Sequence, residues 1–348
     1  MKRLRVIQWT TGKVGTYTLR GILDDPRLEL VGVYAYSADK AGRDAGELCG
    51  RPNCGVKATS DIDALLALGA DSVVYTPLHP DVIELTRLLE QGSDVISTAL
   101  FGREGALEGP IARQLEAACA RGGSSLHITG INPGWVNSIA VALTAVCRRV
   151  DSVNISESAD CSNYASLETW LAHGISTPAS TAETVENTRK SLLPFADTIR
   201  QMAQALEIRI DELKFQAEYA TAKQALDLGW LRIEKDTIAA LRATWSGICA
   251  GRTVLSTTIA WFMTRELNSD WQFSDDHYHI RIEGDPGVET RVRFHAPASW
   301  VPTDWSILTA MPAVSALPAV HAARPGLLSL RDVGLPHAPV GVWAGHGR

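Results

Sequence analysis

The chain has few of the features that mark specialised proteins. Its six cysteines (Cys49, Cys54, Cys119, Cys147, Cys161 and Cys249) include no pair at the two-residue spacing of a zinc knuckle or a redox dithiol. No metal site is therefore expected, and scattered free thiols suit a reducing, cytoplasmic compartment. Cys49 and Cys54, in Cys-Gly-Arg-Pro-Asn-Cys, are expected as two free thiols in a loop. No apolar run approaches the length of a membrane span or a signal-peptide core. The opening Met1-Lys2-Arg3-Leu4-Arg5-Val6-Ile7-Gln8-Trp9 has only a very short apolar stretch and reads as the lead into a strand. Charge of either sign is never collected into blocks. A net charge of -6, spread along the chain, offers no footprint for a nucleic-acid backbone. Internal repeats are absent as well.

What remains is the composition of a soluble globular protein, with 45% hydrophobic and 21% charged residues. At 348 residues the chain is too long for one core of ordinary size, so two domains are expected. The first half alternates short β-branched runs with helical periodicity, the pattern of a parallel sheet covered by helices. Strands are expected at residues 5–9, 28–36, 72–75, 94–97 and 125–129, with crossover helices at 14–23, 62–68, 80–91 and 110–121. The fold class that follows is α/β, with a Rossmann-type domain over residues 1–150.

The second half has the α+β texture. A strand at 152–157 precedes helical patterns at 167–173 and 181–206, and then several strands follow to residue 294. Turns in Ser246 to Gly251 and Glu283 to Gly287 join consecutive strands, which predicts an open antiparallel sheet in a domain spanning 151–300. Residues 301–335 are expected to form a helix and loop packing back on the first domain, with Pro312 as a first-turn residue or a kink. Residues 336–348, rich in Gly, Pro and His, read as a loose tail.

The strongest local signal is Trp9-Thr10-Thr11-Gly12-Lys13-Val14-Gly15, lying between the first strand and the first helix. A dinucleotide turn must bring backbone N–H groups at a helix N-terminus to a pyrophosphate, and it needs a small residue where helix and strand touch. Gly12 and Gly15 meet those demands, although Thr10 stands where the full fingerprint has its first glycine. Thr10 and Thr11 add hydroxyls, Lys13 adds charge, and Val14 completes the turn. After the second strand, Tyr36-Ser37-Ala38-Asp39-Lys40-Ala41-Gly42-Arg43 has Ser37 where NAD enzymes place an acid on the ribose diol. A hydroxyl followed by Lys40 and Arg43 suits a 2′-phosphate, so NADP is favoured and NAD stays open. Asp39 argues the other way, and Lys40 and Arg43 read equally as solvated loop charges.

Together with Thr129-Gly130-Ile131-Asn132-Pro133-Gly134-Trp135 and the C-terminal runs Leu308-Thr309-Ala310-Met311 and Pro325-Gly326-Leu327, these segments make the chain resemble a known family. It is similar to the dihydrodipicolinate reductase-like oxidoreductases that include 2,4-diaminopentanoate dehydrogenase and the native amine dehydrogenases. The resemblance implies a Rossmann domain, an α+β domain that closes over the nicotinamide and supports a homodimer, and hydride transfer to or from a C=N or C=O carbon. It further implies that Thr76 and Pro77 after the third strand and Ser97 and Thr98 after the fourth line the cofactor, with Asn132 near its carboxamide. The residues alone agree in part, because open α/β sheets hold ligands at the carboxyl ends of their strands. Asn132-Pro133 also reads as an ordinary turn.

Two departures from that family matter. The paired histidines of true dihydrodipicolinate reductases are absent, which disfavours their reaction. Where the amine dehydrogenases carry a catalytic glutamate in an acidic stretch, this chain reads Ala99-Leu100-Phe101-Gly102-Arg103-Glu104. Glu104 is the nearest carboxylate, and as the proton donor or acceptor at a polarised carbonyl or imine it is the first candidate. A loop glutamate paired with Arg103 is the plainer reading. His79, after Thr76-Pro77-Leu78, is the second candidate, against an ordinary solvated histidine at a helix start. Glu157, Asp160, Ser162 and Tyr164 can face a polar or cationic substrate group or cap a helix, and Trp170 and His173 share a helix face that suits core packing. His277 and His279 share a strand face, too few for a metal. The expected activity is an NADP-dependent oxidoreductase acting on a small imine, ketone or amine. An ammonia-independent carbonyl or alcohol oxidoreductase and a non-catalytic NADP-binding sensor stay open.

Overall fold

The computed structural model describes residues 2–99, 109–178, 180–300 and 304–338. The chain divides into two units, one made of Met1–Ser138 with Ser299–Arg348 and the other of Ile139–Ala298.

The first unit begins with alternating strands and helices: β1 (Leu4–Trp9), α1 (Lys13–Asp24), β2 (Leu28–Tyr34), α2 (Ala45–Cys49), β3 (Ala58–Thr59), α3 (Ile62–Leu66), β4 (Ser72–Tyr75), α4 (Val82–Glu90), β5 (Asp94–Ser97), α5 (Gly109–Gly122) and β6 (Ser125–Ile128). Strands β4, β5 and β6 are buried at every residue, as strands covered on both faces must be. Asp61 and Asp81 cap α3 and α4 by accepting from first-turn amides, which fixes where those helices begin. Cys49 lies buried in α2 and Cys54 is exposed, both as free thiols.

Helix α6 (Val136–Leu143) carries the chain into the second unit. There β7 (Arg149–Asp160) is followed by α7 (Leu167–Ala172), α8 (Ala182–Ser191) and α9 (Leu193–Ala205). The expected single helix over 181–206 is thus two, because Pro194 at the start of α9 cannot continue α8. Strands β8 (Glu212–Thr221), β9 (Leu226–Asp227), β10 (Arg232–Ile233), β11 (Ile238–Cys249), β12 (Arg252–Phe262), β13 (Tyr278–Asp285) and β14 (Val288–Val292) complete the unit. Six of its strands form a sheet in the order β14-β13-β7-β12-β11-β8. Every neighbouring pair runs antiparallel except β7 and β12, so the sheet is mixed. The long excursion through three helices and four strands between β7 and β12 supplies the crossover that a parallel pair needs. The β11–β12 hairpin turns at Ala250 and Gly251, both at positive φ (49° and 76°), within the expected segment.

The chain then returns to the first unit with α10 (Ser306–Ala322), β15 (Gly326–Leu328) and α11 (Leu330–Val333). Pro312 and Pro318 both lie inside α10, whose 17 residues pack against α1. Strand β15 adds to β6, giving a seven-stranded sheet in the order β15-β6-β5-β4-β1-β2-β3, every pair parallel. Two apolar cores cover its faces, one including Leu19, Ile22, Val314 and Leu317, the other Leu65, Leu85, Leu88 and Leu115. Strand order reverses between β1 and β4. That is the switch point at which doubly wound sheets leave a crevice for ligands. Among the described residues no helix is long and apolar enough to cross a membrane.

Candidate functional site

The turn between β1 and α1 sits at this switch point. Thr10, in the place of the first fingerprint glycine, adopts φ 71°, a conformation costly for a β-branched residue. A buried polar network holds it there. The Gln8 side-chain amide donates to the Thr10 carbonyl at 2.9 Å and to Thr76 Oγ1 at 2.8 Å, while its carbonyl accepts from Thr18 Oγ1 at 2.6 Å. Thr76 Oγ1 donates in turn to the Trp9 carbonyl at 2.9 Å and lies 3.2 Å from Thr10 Oγ1. The hydroxyls of Thr10 and Thr76 therefore stabilise the turn from below.

The two glycines have different duties. A Cβ at Gly15 would come within 2.4 Å of the Thr10 carbonyl oxygen, so helix and turn meet as closely as they do only because that side chain is missing. A Cβ at Gly12 would touch nothing within 4 Å. Gly12 is exposed, has an ordinary φ of -73°, and caps α1 without any side-chain acceptor. Nothing inside the protein requires glycine there, whereas a phosphate approaching the first amides of α1 does. The amides of Lys13, Val14 and Gly15 form that open helix end, and the residues present fit a dinucleotide's pyrophosphate.

The segment after β2 is tied to the same turn. Lys40 Nζ donates to the Thr11 carbonyl at 2.9 Å, bringing a cation beside the helix start. Ser37 Oγ donates to the Asp39 carboxylate. Arg43 pairs instead with Glu47 on α2 at 2.8 Å, both side chains being exposed. Thr11 and Lys40 are thus brought together, and Arg43 is engaged elsewhere.

At the other strand ends, the half-buried Pro77 follows Thr76 and His79 is exposed in the loop before α4. Ser97 is fully buried, and its hydroxyl bonds the backbone of Ala99. Thr98 is half-buried and gives its amide to the Tyr75 carbonyl at 3.0 Å. Asn132 lies in the turn Ile131–Trp135 after β6. In that turn Gly134 takes φ 133°, and a Cβ there would come within 2.7 Å of Thr129 Oγ1. Its amide donates to Asn137 Oδ1 at 2.7 Å, which anchors the turn to α6. Glu104 lies outside the described residues.

Below these loops runs an aromatic row, Tyr34–Trp9–Tyr75, whose members are register partners across β2, β1 and β4. Trp9 stacks on Tyr34 at 4.5 Å between centroids and on Tyr75 at 6.2 Å. Glu84 on α4 accepts from Trp9 Nε1 at 3.0 Å and from the Tyr75 hydroxyl at 2.9 Å, and burial pushes the Tyr75 phenol well above its usual range. Gln8 and this row were not singled out as site residues from sequence. The signal available was a lone glutamine within Val6-Ile7-Gln8-Trp9, one residue before the turn.

A parallel sheet whose switch point carries a glycine-opened helix N-terminus defines a Rossmann-type fold of the kind that binds dinucleotides. The chain belongs to the 2,4-diaminopentanoate dehydrogenase C-terminal domain family, which matches residues 135–346. It is 28% identical over 311 residues to an amine dehydrogenase of Streptomyces virginiae, covering 83% of this chain and 84% of the relative. Its fold is that of an amine dehydrogenase from Mycobacterium smegmatis, with a TM-score of 0.73 at 17% identity over 96% of both chains. GenD2 of gentamicin A biosynthesis, solved in complex with NAD, superposes with a TM-score of 0.55 at 17% identity, covering 96% of this chain and 91% of GenD2. The protein is an NAD(P)-dependent oxidoreductase.

Proposed function

We propose that the protein is an NADP-dependent oxidoreductase that interconverts a small primary amine and the corresponding imine or ketone. The observation that carries this reading is the open amide end of α1 at Gly12, with Lys40 fixed beside it by the Thr11 carbonyl. A nicotinamide coenzyme held there supplies the hydride donor or acceptor. The amides of Lys13, Val14 and Gly15 bind its pyrophosphate, and Ser37 and Lys40 favour a 2′-phosphate. Arg43 joins them by leaving an exposed i,i+4 pair with Glu47, a contact worth only about 0.5 kcal/mol. Thr98, Pro77 and Asn132, at the same carboxyl edge, line the nicotinamide end. Glu104, with His79 as the alternative, moves the proton at the substrate nitrogen or oxygen. The relationship to the Streptomyces virginiae amine dehydrogenase supports the amine substrate. The functional form is a homodimer working in the cytoplasm.

A second reading is favoured by Ala99-Leu100-Phe101, apolar where an ammonia-handling enzyme carries its acidic stretch. On that reading the protein reduces ketones or oxidises alcohols without ammonia. Fluorescence titration with NADPH and NADH fixes the coenzyme, and ketone turnover with and without ammonium separates the two readings. Amine formation dependent on ammonium supports the first. Alcohol formation indifferent to ammonium overturns it.

A further inference from the structure

We propose that Glu84 is a positioning residue which, acting through Tyr75 and Trp9, sets the loop after β4 at a fixed distance from the turn after β1. The assignment rests on reading Thr10 to Gly15 as the phosphate turn and Pro77 as part of the lining of the nicotinamide end. It goes beyond that reading by naming the group that keeps the two places in register.

The loop after β4 is an arch with two feet. It runs from Thr76 to Pro80, between the end of β4 and the Asp81 cap of α4, and it carries Pro77 and the exposed His79. The near foot is fixed to β1, because the Thr76 amide donates to the Trp9 carbonyl at 3.1 Å and Thr76 Oγ1 accepts from the Gln8 side chain at 2.8 Å. The far foot is fixed by the residue that precedes the arch. The Tyr75 hydroxyl accepts from the Asp81 amide at 2.9 Å and so closes the arch at its base. That hydroxyl then donates to Glu84 Oε2 at 2.9 Å, and the same oxygen accepts from Trp9 Nε1 at 3.0 Å. One carboxylate oxygen thus holds the last residue of β4 and the last residue of β1, the two strands between which strand order reverses.

The burial of the donors shows what this oxygen does. Tyr75 and Trp9 are both completely buried, and burial keeps the phenol protonated, so each presents a donor that needs an acceptor inside the protein. An acid in the first turn of a helix ordinarily acts through its charge on the helix end. Glu84 instead reaches to the ends of two strands. The shape of the turn after β1 does not need it, since Gln8 already holds Thr10 and the near foot. What is left for Glu84 is the far foot, and with it the height of the arch over the crevice. A dinucleotide meets the turn and the arch at once, and a ligand held at two places gains affinity only when their spacing is set in advance.

Titration of the full chain with NADPH and with 2′-phospho-ADP-ribose, which lacks the nicotinamide, tests the assignment. Tyr75→Phe and Glu84→Ala are expected to weaken NADPH about tenfold, the scale on which supporting hydrogen bonds act on a bound group. Both variants are expected to bind 2′-phospho-ADP-ribose as wild type does. The fluorescence anisotropy of the reduced nicotinamide at saturation is expected to fall in both, because the ring is held less firmly. Glu84→Gln keeps an oxygen that can accept from both donors, so it is expected to restore NADPH affinity. Tyr75→Phe leaves α4 and its first-turn charge untouched, and melting temperatures report any general damage. Wild-type NADPH affinity in Tyr75→Phe overturns the proposal, as does an equal loss of both ligands, which would make the bonds a support of the general fold. Glu84→Gln as weak as Glu84→Ala overturns it too, by assigning Glu84 to a charge effect on the helix. Failure of the wild-type protein to bind either ligand removes the phosphate-turn reading itself, and the assignment falls with it.

Discussion

The side-chain amide of Gln8 lies 2.8 Å from Thr76 Oγ1, and through it one strand end is locked to its neighbour beneath the turn between β1 and α1. The same amide donates to the carbonyl of Thr10, the residue that stands in a left-handed conformation where a glycine is usual. Replacing Gln8 by Leu strips partners from the Thr10 carbonyl, Thr76 and Thr18 at once, all of them buried. A loss of about 2–4 kcal/mol in urea unfolding is expected, with NADPH affinity reduced in the folded protein. An unfolding midpoint equal to wild type would show that the network does not hold the turn.

Gly12 and Gly15 should separate binding from folding. Gly12→Ala places its Cβ in open space at an ordinary φ, so the melting temperature is expected to hold while coenzyme affinity falls at least tenfold, on the order of 1.4 kcal/mol. Gly15→Ala drives a Cβ to 2.4 Å from a backbone oxygen and should cost stability as well as binding. Thermal melts paired with NADPH titrations distinguish the two patterns. Equal behaviour of the two variants would contradict the division of roles.

On the proposed reading, coenzyme choice depends on whether Arg43 leaves Glu47. Its exposed pair is weak, so Arg43→Ala is expected to raise the KM for NADPH about tenfold and leave that for NADH unchanged. Lys40→Ala, which removes a cation bonded to the turn itself, should weaken both coenzymes and NADPH the more. A shift shared equally by NADPH and NADH in Arg43→Ala would remove Arg43 from 2′-phosphate recognition.

Two buried histidines predict acid sensitivity, one in each unit. Burial lowers His127 to about 4 and His173 to about 4, from an ordinary value near 6.5. His173 is 2% exposed, and its Nδ1 has no hydrogen-bond partner among the described residues. Both groups bind a proton less readily folded than unfolded. Their contribution to stability is therefore intact above about pH 6.5 and is lost as pH falls toward 4, by about 3 kcal/mol for each. His173→Phe, which keeps a ring against Trp170 and Trp261, is expected to flatten the decline between pH 6.5 and 4. Denaturant midpoints across that range measure it, and an unaltered slope would sink the attribution.

Much of the first unit was legible because strands covered on both faces must be short, continuous apolar runs, and β4, β5 and β6 are such runs. Gly12 and Gly15 were legible through their place between a strand and a helix. Strand β15 was not, since three residues within a Pro-Gly context become a strand only by pairing with β6. The parallel partnership of β7 and β12 is likewise a matter of tertiary connection, which periodicity does not encode. Periodicity also ran through Leu192, where Pro194 starts a new helix. In the site, Gln8 was hidden because a polar residue in a strand reads as a solvent-facing position, while its actual partners lie as far away as Thr76.

The seventh strand of the parallel sheet carries a consequence for biosynthesis. Residues 125–128 emerge from the ribosome almost two hundred positions before residues 326–328, the segment that completes their ladder. Until then β6 is a bare edge, open to mispairing with other nascent chains. Truncations that stop short of residue 326 should therefore aggregate even when every part of the nucleotide turn is present.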